Sequence, residues 1–475
     1  MALSSLLAGC VVGPRFHTPA PPTVDRYTPA PLAPVAGGES AGSPAPRFVS
    51  QPAAPRRWWT LLGSTELDAL EEEALKANPT LAAAKAALRQ ARETYLAQRA
   101  SLYPTVTLAA GASRARNSLA IAPPLNNGAQ TYSLYNAQVG VSYVLDVFGG
   151  ERRGVESAAA TAEAQAYETD AADLTLTANV ASSALQLASL NDQLAQTARI
   201  VDADRRVYDI TARQQSLGEA SGADVAVARA ALAQAQQLGP ALRKQADQQR
   251  DLLAALVGRP PSEAPTRALS LSDFTLPADL PVSLPADLVR QRPDVRAAEA
   301  SVHVASAEVG VALAARLPSI TLNGIAGGAS TDVSSLLSTS NTLWSIAGDA
   351  AQTVFDAGAL RHKQRAAEAA LDQAMAQYRA AVLTGLVNTA DSLQAIVDDA
   401  AAAAAAQAAA DASARSLQIA RAQFEQGQAS FLTALAADST DSQSEVSLIQ
   451  ARAARLIDTV ALYQALGGGE LSDAR

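Results

Sequence analysis

Between Val155 and Leu217 the chain runs for 63 residues without a single Gly or Pro. As one α-helix that run would span roughly 95 Å, at about 1.5 Å per residue. A helix of this length cannot fold around one compact core. It needs neighbours along its whole length, as in a coiled-coil array. A second run, from Arg361 to Gln426, is interrupted only by Gly385. The composition suits long, laterally packed helices: 48% of residues are hydrophobic but only 4% are aromatic. The apolar content is thus mostly Ala, Leu and Val, and Ala in particular favours helices and lets them approach closely.

The chain also repeats itself, which fixes the order of its elements. Asn78-Pro79-Thr80-Leu81 and Arg292-Pro293-Asp294-Val295 each open a helical stretch. Those stretches end at Tyr103-Pro104-Thr105-Val106-Thr107-Leu108 and Leu317-Pro318-Ser319-Ile320-Thr321-Leu322, with the same offset of 214 at both ends. Gly218-Glu219-Ala220-Ser221 matches Gly427-Gln428-Ala429-Ser430, and Gly258 matches Gly467, both at an offset of 209. The pattern reads as a tandem duplication. Each half holds a helix of about 25 residues by its helical pattern, then a strand, a loop, a second strand, a very long helix, a glycine turn and a returning helix.

Alternation marks the strands. From Tyr135 the odd positions Tyr135, Ala137, Val139, Val141, Tyr143 and Leu145 are apolar. The even positions Asn136, Gln138, Gly140, Ser142 and Asp146 are polar or small, with Val144 the exception. Ile320, Leu322, Gly324 and Ala326 alternate more weakly with Ser319, Thr321 and Asn323, and the strand near Leu343–Phe355 has the faintest pattern. One side facing lipid and the other facing water would produce this alternation. The stretches Asn117–Gln130 and Thr331–Thr342 are rich in Ser, Asn, Pro and Gly and read as outward loops. Four such strands cannot sit in a bilayer alone, because open sheet edges leave N–H and C=O groups unsatisfied in hydrocarbon. Three copies of the chain would supply twelve strands, enough for a barrel with a watery interior. The expected fold class is therefore a mixed α/β membrane protein, mainly α. Its trimer would hold a 12-stranded β-barrel, four strands per chain, continuous with a long α-helical barrel whose length suits crossing a periplasm.

Other classes recede. A formal charge of −9 disfavours nucleic acid as a partner. The three histidines, His17, His303 and His362, lie far apart in sequence, and the single cysteine leaves little for a metal site or a thiol nucleophile. No cofactor is expected, and no catalytic residues. No run approaches 18 uninterrupted apolar residues, so no membrane-crossing helix is expected. The cysteine sits in Leu6-Leu7-Ala8-Gly9-Cys10, an apolar stretch, two small residues and a Cys, which reads as the end of a lipoprotein signal with a covalent lipid on Cys10. A chance cysteine near the N-terminus is the alternative. Residues 1–9 lack a basic segment and are short for an export signal, so the expected true start lies upstream of Met1. The Pro-, Ala- and Gly-rich stretch Thr18–Pro55 is expected to be extended, and the alanine-rich stretch Ala400–Ala406 to be a closely packed helix.

Taken together these residues resemble the outer-membrane factor family, the TolC and NodT-like efflux lipoproteins, from Cys10 to Gly467. Cys10-Val11-Val12-Gly13-Pro14-Arg15-Phe16 resembles the family's mature N-terminus, and Trp58-Trp59 with Glu66-Leu67-Asp68-Ala69-Leu70 its first helical signature. Tyr143-Val144-Leu145-Asp146-Val147-Phe148-Gly149 is similar to the strand-to-helix junction, echoed by Val354-Phe355-Asp356-Ala357-Gly358. The segment Leu284 to Glu299, with Arg292-Pro293-Asp294 inside it, is the most specific match. The resemblance implies a homotrimeric exit duct in outer-membrane lipid, lipid-anchored in a Gram-negative cell and extending into the periplasm. Its implied partners are a periplasmic adaptor (membrane fusion protein) and an inner-membrane RND-type transporter. The cargo would be drugs or other small toxic compounds. A duct for type I protein secretion shares the fold, and a coiled-coil scaffold without a pore is the reading from another class.

On this reading the chain divides into residues 1–9, a signal remnant, and 10–57, the acylated N-terminus and extended linker. Residues 58–258 form a first repeat with its hairpin about 105–148. Residues 259–291 are a linker, 292–467 a second repeat with its hairpin about 318–355, and 468–475 a tail. The turns carrying Gly218 and Ser221, and Gly427 and Ser430, are expected at the periplasmic tip, though any helical hairpin needs a turn. In the related ducts an Asp and an Arg after the second turn help lock the closed aperture. The matching positions here are Ala436 and Ser439, and Asp438 is displaced by two places. Leu432 and Leu435 are then the candidates for an apolar closing ring, with Asp438 as a third aperture residue. Packing between helices would explain the leucines equally. The clusters Glu151-Arg152-Arg153 and Arg361-His362-Lys363 are expected to anchor the barrel at the membrane surface or to be solvated helix ends.

Overall fold

The computed structural model describes residues 11–31, 35, 47–50, 55–116, 118, 130–265 and 267–468. Cys10 and most of the Asn117–Gln130 stretch lie outside the described residues, as does the tail beyond Gly468. In chain order the elements are strand β1 (Arg47–Ser50), helices α1 (Thr65–Ala77) and α2 (Pro79–Arg99), strands β2 (Thr105–Arg116) and β3 (Thr131–Leu145), and helices α3 (Gly150–Ser216) and α4 (Gly222–Leu256). Then follow β4 (Asp279–Val282), α5 (Pro285–Gln291), α6 (Pro293–Ala314), β5 (Ser319–Ser330), β6 (Thr342–Ala351), α7 (Ala359–Glu425) and α8 (Phe431–Ala465). The halves match in length as well as order: α3 and α7 each hold 67 residues, and α4 and α8 each hold 35.

The described residues pack into two compact units. The first takes Ala87–Gln165, Ala298–Arg379 and the described residues before Ala20; the second takes the described residues of Ala20–Ala86, with Ala166–Ala297 and the chain from Ala380 onward.

The first unit contains a four-stranded antiparallel sheet in the order β2-β3-β5-β6. Its register places Val139 opposite both Leu108 and Ala326, and Ser142 opposite both Thr105 and Asn323. Directly paired residues share a face, so each face of the sheet follows from sequence parity. β6 ends at Ala351, short of the Phe355 expected from sequence, because Asp356 is already engaged with the next helix. Its carboxylate accepts from the N–H groups of Gly358 and Leu360, at 2.8 and 2.7 Å. Asp146 does the same at the head of α3, accepting from Glu151 and Arg152, each at 3.0 Å. These are N-terminal caps, and they explain why an Asp-plus-glycine motif recurs at each strand-to-helix junction.

Arg153 corrects a sequence expectation. It is neither a surface anchor nor a solvated helix end, but only 4% exposed. Its guanidinium donates to the Val12 and Gly13 carbonyls and to Glu156. Gly13, at φ +96°, lies so close to α6 that an added Cβ would sit 2.5 Å from the Gly310 Cα. Phe16 stacks on His303 at 4.4 Å, and that imidazole shares a 3.0 Å hydrogen bond with Glu156. The chain just after Cys10 is thus strapped onto the start of α3 and the C-terminal half of α6.

The second unit holds the main core. Trp58 is fully buried and stacks on Tyr463 at 5.4 Å, among Leu62, Leu67, Leu185 and Leu253. β1 pairs in parallel with β4, so part of the stretch expected to be extended is a strand with a partner. Gly385 does not interrupt α7; it makes room for a neighbour, since an added Cβ would lie 3.0 Å from the Arg292 Nε. By length and composition, α7 also qualifies as a helix able to cross a membrane. The unbroken-run criterion applied to the sequence excluded any such helix.

Candidate functional site

Three features of these units bear on function: the proline hinges that fasten the helix ends, the glycine turns, and the two-faced sheet. At the hinges, the residue before each proline ties the start of one helix to the end of another. Asn78 donates through Nδ2 to the Leu256 carbonyl at 2.8 Å and accepts from the Leu81 N–H at 3.0 Å. Arg292 donates through Nη1 to the Ala465 carbonyl at 2.6 Å and grips Asp294 through two further bonds, at 3.0 and 2.7 Å. The glycine that ends each returning helix closes the same joint. A Cβ on Gly258 would meet the Ala77 carbonyl oxygen at 2.6 Å, and one on Gly467 the Gln291 carbonyl oxygen at 2.8 Å. Only glycine fits such an approach at positive φ, here +83° and +91°.

Both turns are Schellman caps. Glu219 N–H donates to Gln214 and Gly218 N–H to Gln215; Gln428 and Gly427 repeat this on Gln423 and Phe424. Gly218 and Gly427 hold φ +78° and +69°, with nothing within 4 Å of a Cβ at either. The glycines are therefore required by backbone conformation, not by space. Ser221 and Ser430 start the returning helices as N-caps, accepting from the Asp224 and Thr433 N–H groups, each at 3.2 Å.

Beyond the second turn Leu432 is 52% exposed, and Leu435 is half-buried. Asp438 is 8% exposed and accepts a hydrogen bond from Arg421 of α7 at 2.5 Å. On α3, Asp204 is also buried; loss of water raises its carboxyl above the usual range, and the Asp438 charge adds to that shift. Arg421 is thus bonded to Asp438, and the Asp438 charge in turn acts on Asp204 of a third helix. Sequence reading singled out Asp438 and missed Arg421 and Asp204, because no local spacing links positions this far apart. Among the described residues no three His, Cys, Asp or Glu side chains gather to hold a metal ion.

In the sheet, odd positions of β2, β5 and β6 share a face with even positions of β3. That face carries Thr105, Thr107, Asn136, Gln138, Ser142, Thr321, Asn323 and Asp349. The other carries Val106, Leu108, Val139, Val141, Tyr143, Leu322, Trp344 and Ile346. Apolar side chains this exposed on an open sheet, 81% for Leu108 and Ile346 and 76% for Trp344, belong against hydrocarbon or a partner. A sheet of this kind in one chain with paired 67- and 35-residue helices defines a membrane channel component.

Comparison with known proteins agrees. The sequence model of the outer membrane efflux protein family matches residues 70–259 and 284–468, and the chain belongs to that family. It is 31% identical to the pyoverdine export outer membrane protein OpmQ of Pseudomonas putida, over 96% of this chain and 95% of that protein. Among solved structures it superposes on the outer-membrane channel OprN with a TM-score of 0.85 at 26% identity, covering 97% of this chain and 99% of that one. The open state of the Neisseria gonorrhoeae MtrE outer membrane channel matches with a TM-score of 0.83 at 25% identity, covering 98% and 99%. The protein is an outer-membrane efflux channel of the Gram-negative type, and its family and fold are those of channels.

Proposed function

We propose that three copies of this chain close their sheets into one twelve-stranded barrel, and that the barrel with its helices forms the passive exit duct of a tripartite pump. The observation that carries this reading is the strand order. β2 and β6 lie at the two edges of the sheet with no further strand partner among the described residues. Hydrocarbon tolerates no such edges, so each must pair with an edge of a sister copy. A periplasmic adaptor and an inner-membrane RND-type transporter supply cargo and energy, and the cargo is a drug or other small toxic compound. The export of pyoverdine named for a relative supports a small-molecule cargo over a protein one. A lipid on Cys10 fits the strap that follows it, because Val11–Phe16 is held firmly beside the strand-to-helix junction. The equal elements and equal joints of the halves support a tandem duplication with repeats at 58–258 and 292–467. Purified in detergent, the protein is expected to carry the mass of three chains, and in membranes it is expected to resist carbonate extraction. A monomeric mass or carbonate release overturns the reading.

The turns at Gly218 and Gly427 form the periplasmic tip on this reading, and Leu432 and Leu435 form an apolar closing ring. Asp438 is committed to Arg421 and steadies the helices behind that ring instead of lining it. The double variant Leu432→Ser, Leu435→Ser is expected to raise closed-state leak in a planar bilayer severalfold. An unchanged leak assigns both leucines to packing.

A further inference from the structure

Among the described strand residues, the polar face of the sheet bears one formally charged side chain, Asp349. The two arginines of β2, Arg114 and Arg116, fall on the opposite face by the same parity. Asp349 lies two residues before the end of β6 at Ala351, on the side of the sheet where the strands hand over to helices. It is held in place by a relay running across three strands. Ser142 of β3 donates to the Asn323 Oδ1 at 3.0 Å, and Asn323 of β5 donates through Nδ2 to the Asp349 Oδ2 at 3.0 Å. That relay fixes the amide with its N–H towards the carboxylate, so the charge has a set position on the wall. Thr321 lies directly opposite Asp349 in the register and adds a hydroxyl to the same polar belt.

We infer that Asp349 sets the ionic preference of the conducting face, favouring small cations, inorganic or organic ammonium, over anions. The inference rests on the barrel reading above: closure of three sheets repeats the carboxylate three times in one ring at the helix-side mouth. Rings of Asp or Glu are how pores favour cations. At 0.1 M salt the Debye length is about 10 Å, so each carboxylate acts on ions passing near the wall, and at 1 M the reach shrinks to about 3 Å. No opposing charge stands on the polar face of the described strands to cancel it. The face otherwise carries hydroxyls, amides, glycines and apolar side chains, Leu134, Ile325 and Leu343 among them, none with a formal charge that would select one sign of ion.

The test is the reversal potential of the full-length trimer in a planar bilayer under a KCl gradient centred near 0.1 M. The wild-type protein is expected to prefer K⁺ over Cl⁻. Asp349→Asn is expected to lower that permeability ratio on the order of threefold, and Asp349→Lys to turn it towards anions. Asn323→Ala keeps the charge and is expected to keep most of the preference. All these effects should shrink in a gradient centred near 1 M. A reversal potential for Asp349→Asn equal to wild type, with conductance retained, overturns the inference and leaves the barrel standing. A wild-type protein that neither inserts nor conducts overturns barrel closure, and this inference with it.

Discussion

Ile346→Lys is expected to abolish stable insertion of the protein into the outer membrane, whereas Ser345→Lys, one residue away, should be tolerated. The register of β5 and β6 puts Ile346 opposite Gly324 and Ser345 opposite Ile325, on opposite faces of the sheet. Ile346 lies mid-strand on the apolar face with 81% of its surface free. A lysine near the bilayer midplane costs about 2–4 kcal/mol, so three copies in one barrel would cost about 6–12 kcal/mol. That is comparable to the whole stability of an ordinary domain, about 5–15 kcal/mol. At Ser345 the same charge would face water and cost almost nothing. The measurement is the amount of heat-resistant trimer recovered from outer-membrane fractions. Equal recovery of both variants, or loss of the Ser345→Lys protein alone, overturns the assignment of faces.

The second large effect concerns Glu71. It lies on the buried face of α1, 0% exposed, and neither carboxylate oxygen finds a hydrogen-bond partner among the described residues. Loss of water pushes its carboxyl up to about 9, and the neighbouring Asp173 and Asp68 charges add to the shift. The group is therefore protonated in the folded protein at neutral pH and ionised in the unfolded chain. A raised pKa contributes stability that is complete below the unfolded value near 4.5 and drains away as pH rises towards 9. Glu71→Gln copies the neutral shape and removes that drain. At pH 7.5 the variant should be more stable by roughly 2–4 kcal/mol, with the gain closing towards zero near pH 4. Unfolding midpoints of both proteins at pH 4.5, 6 and 8 measure it. A gain that ignores pH, or no gain at pH 8, defeats the account.

Much of the architecture was legible in the sequence because the signals are local. Absence of Gly and Pro marked α3 to within a few residues. The true start is Gly150, earlier than Val155, because the Asp146 cap and Gly149 at φ +82° let a second glycine enter the helix. β3 was visible from Tyr135 by alternation broken only at Val144, and it began at Thr131, where Thr131-Tyr132-Ser133-Leu134 alternates in the opposite phase. Gly218, Gly427, Ser221 and Ser430 could be found because a turn followed by a cap has a short signature. What stayed hidden was long-range. Glu71 opens the run Glu71-Glu72-Glu73, which reads as a solvated helix face until the packing shows its first member pointing inward. Arg421 reaches Asp438 only because α7 and α8 return alongside each other, and Asp204 joins them from a helix more than 200 residues earlier.

The two turns also determine how the hairpin tips can change over generations. Each reversal is closed by main-chain hydrogen bonds and one glycine, with empty space around it. Side chains such as Glu219, Ala220, Gln428 and Ala429 can therefore be exchanged with little risk to folding. Such a surface can vary freely from one sequence to the next, while the proline joints and the buried tryptophan, where almost any exchange is costly, hold the frame constant.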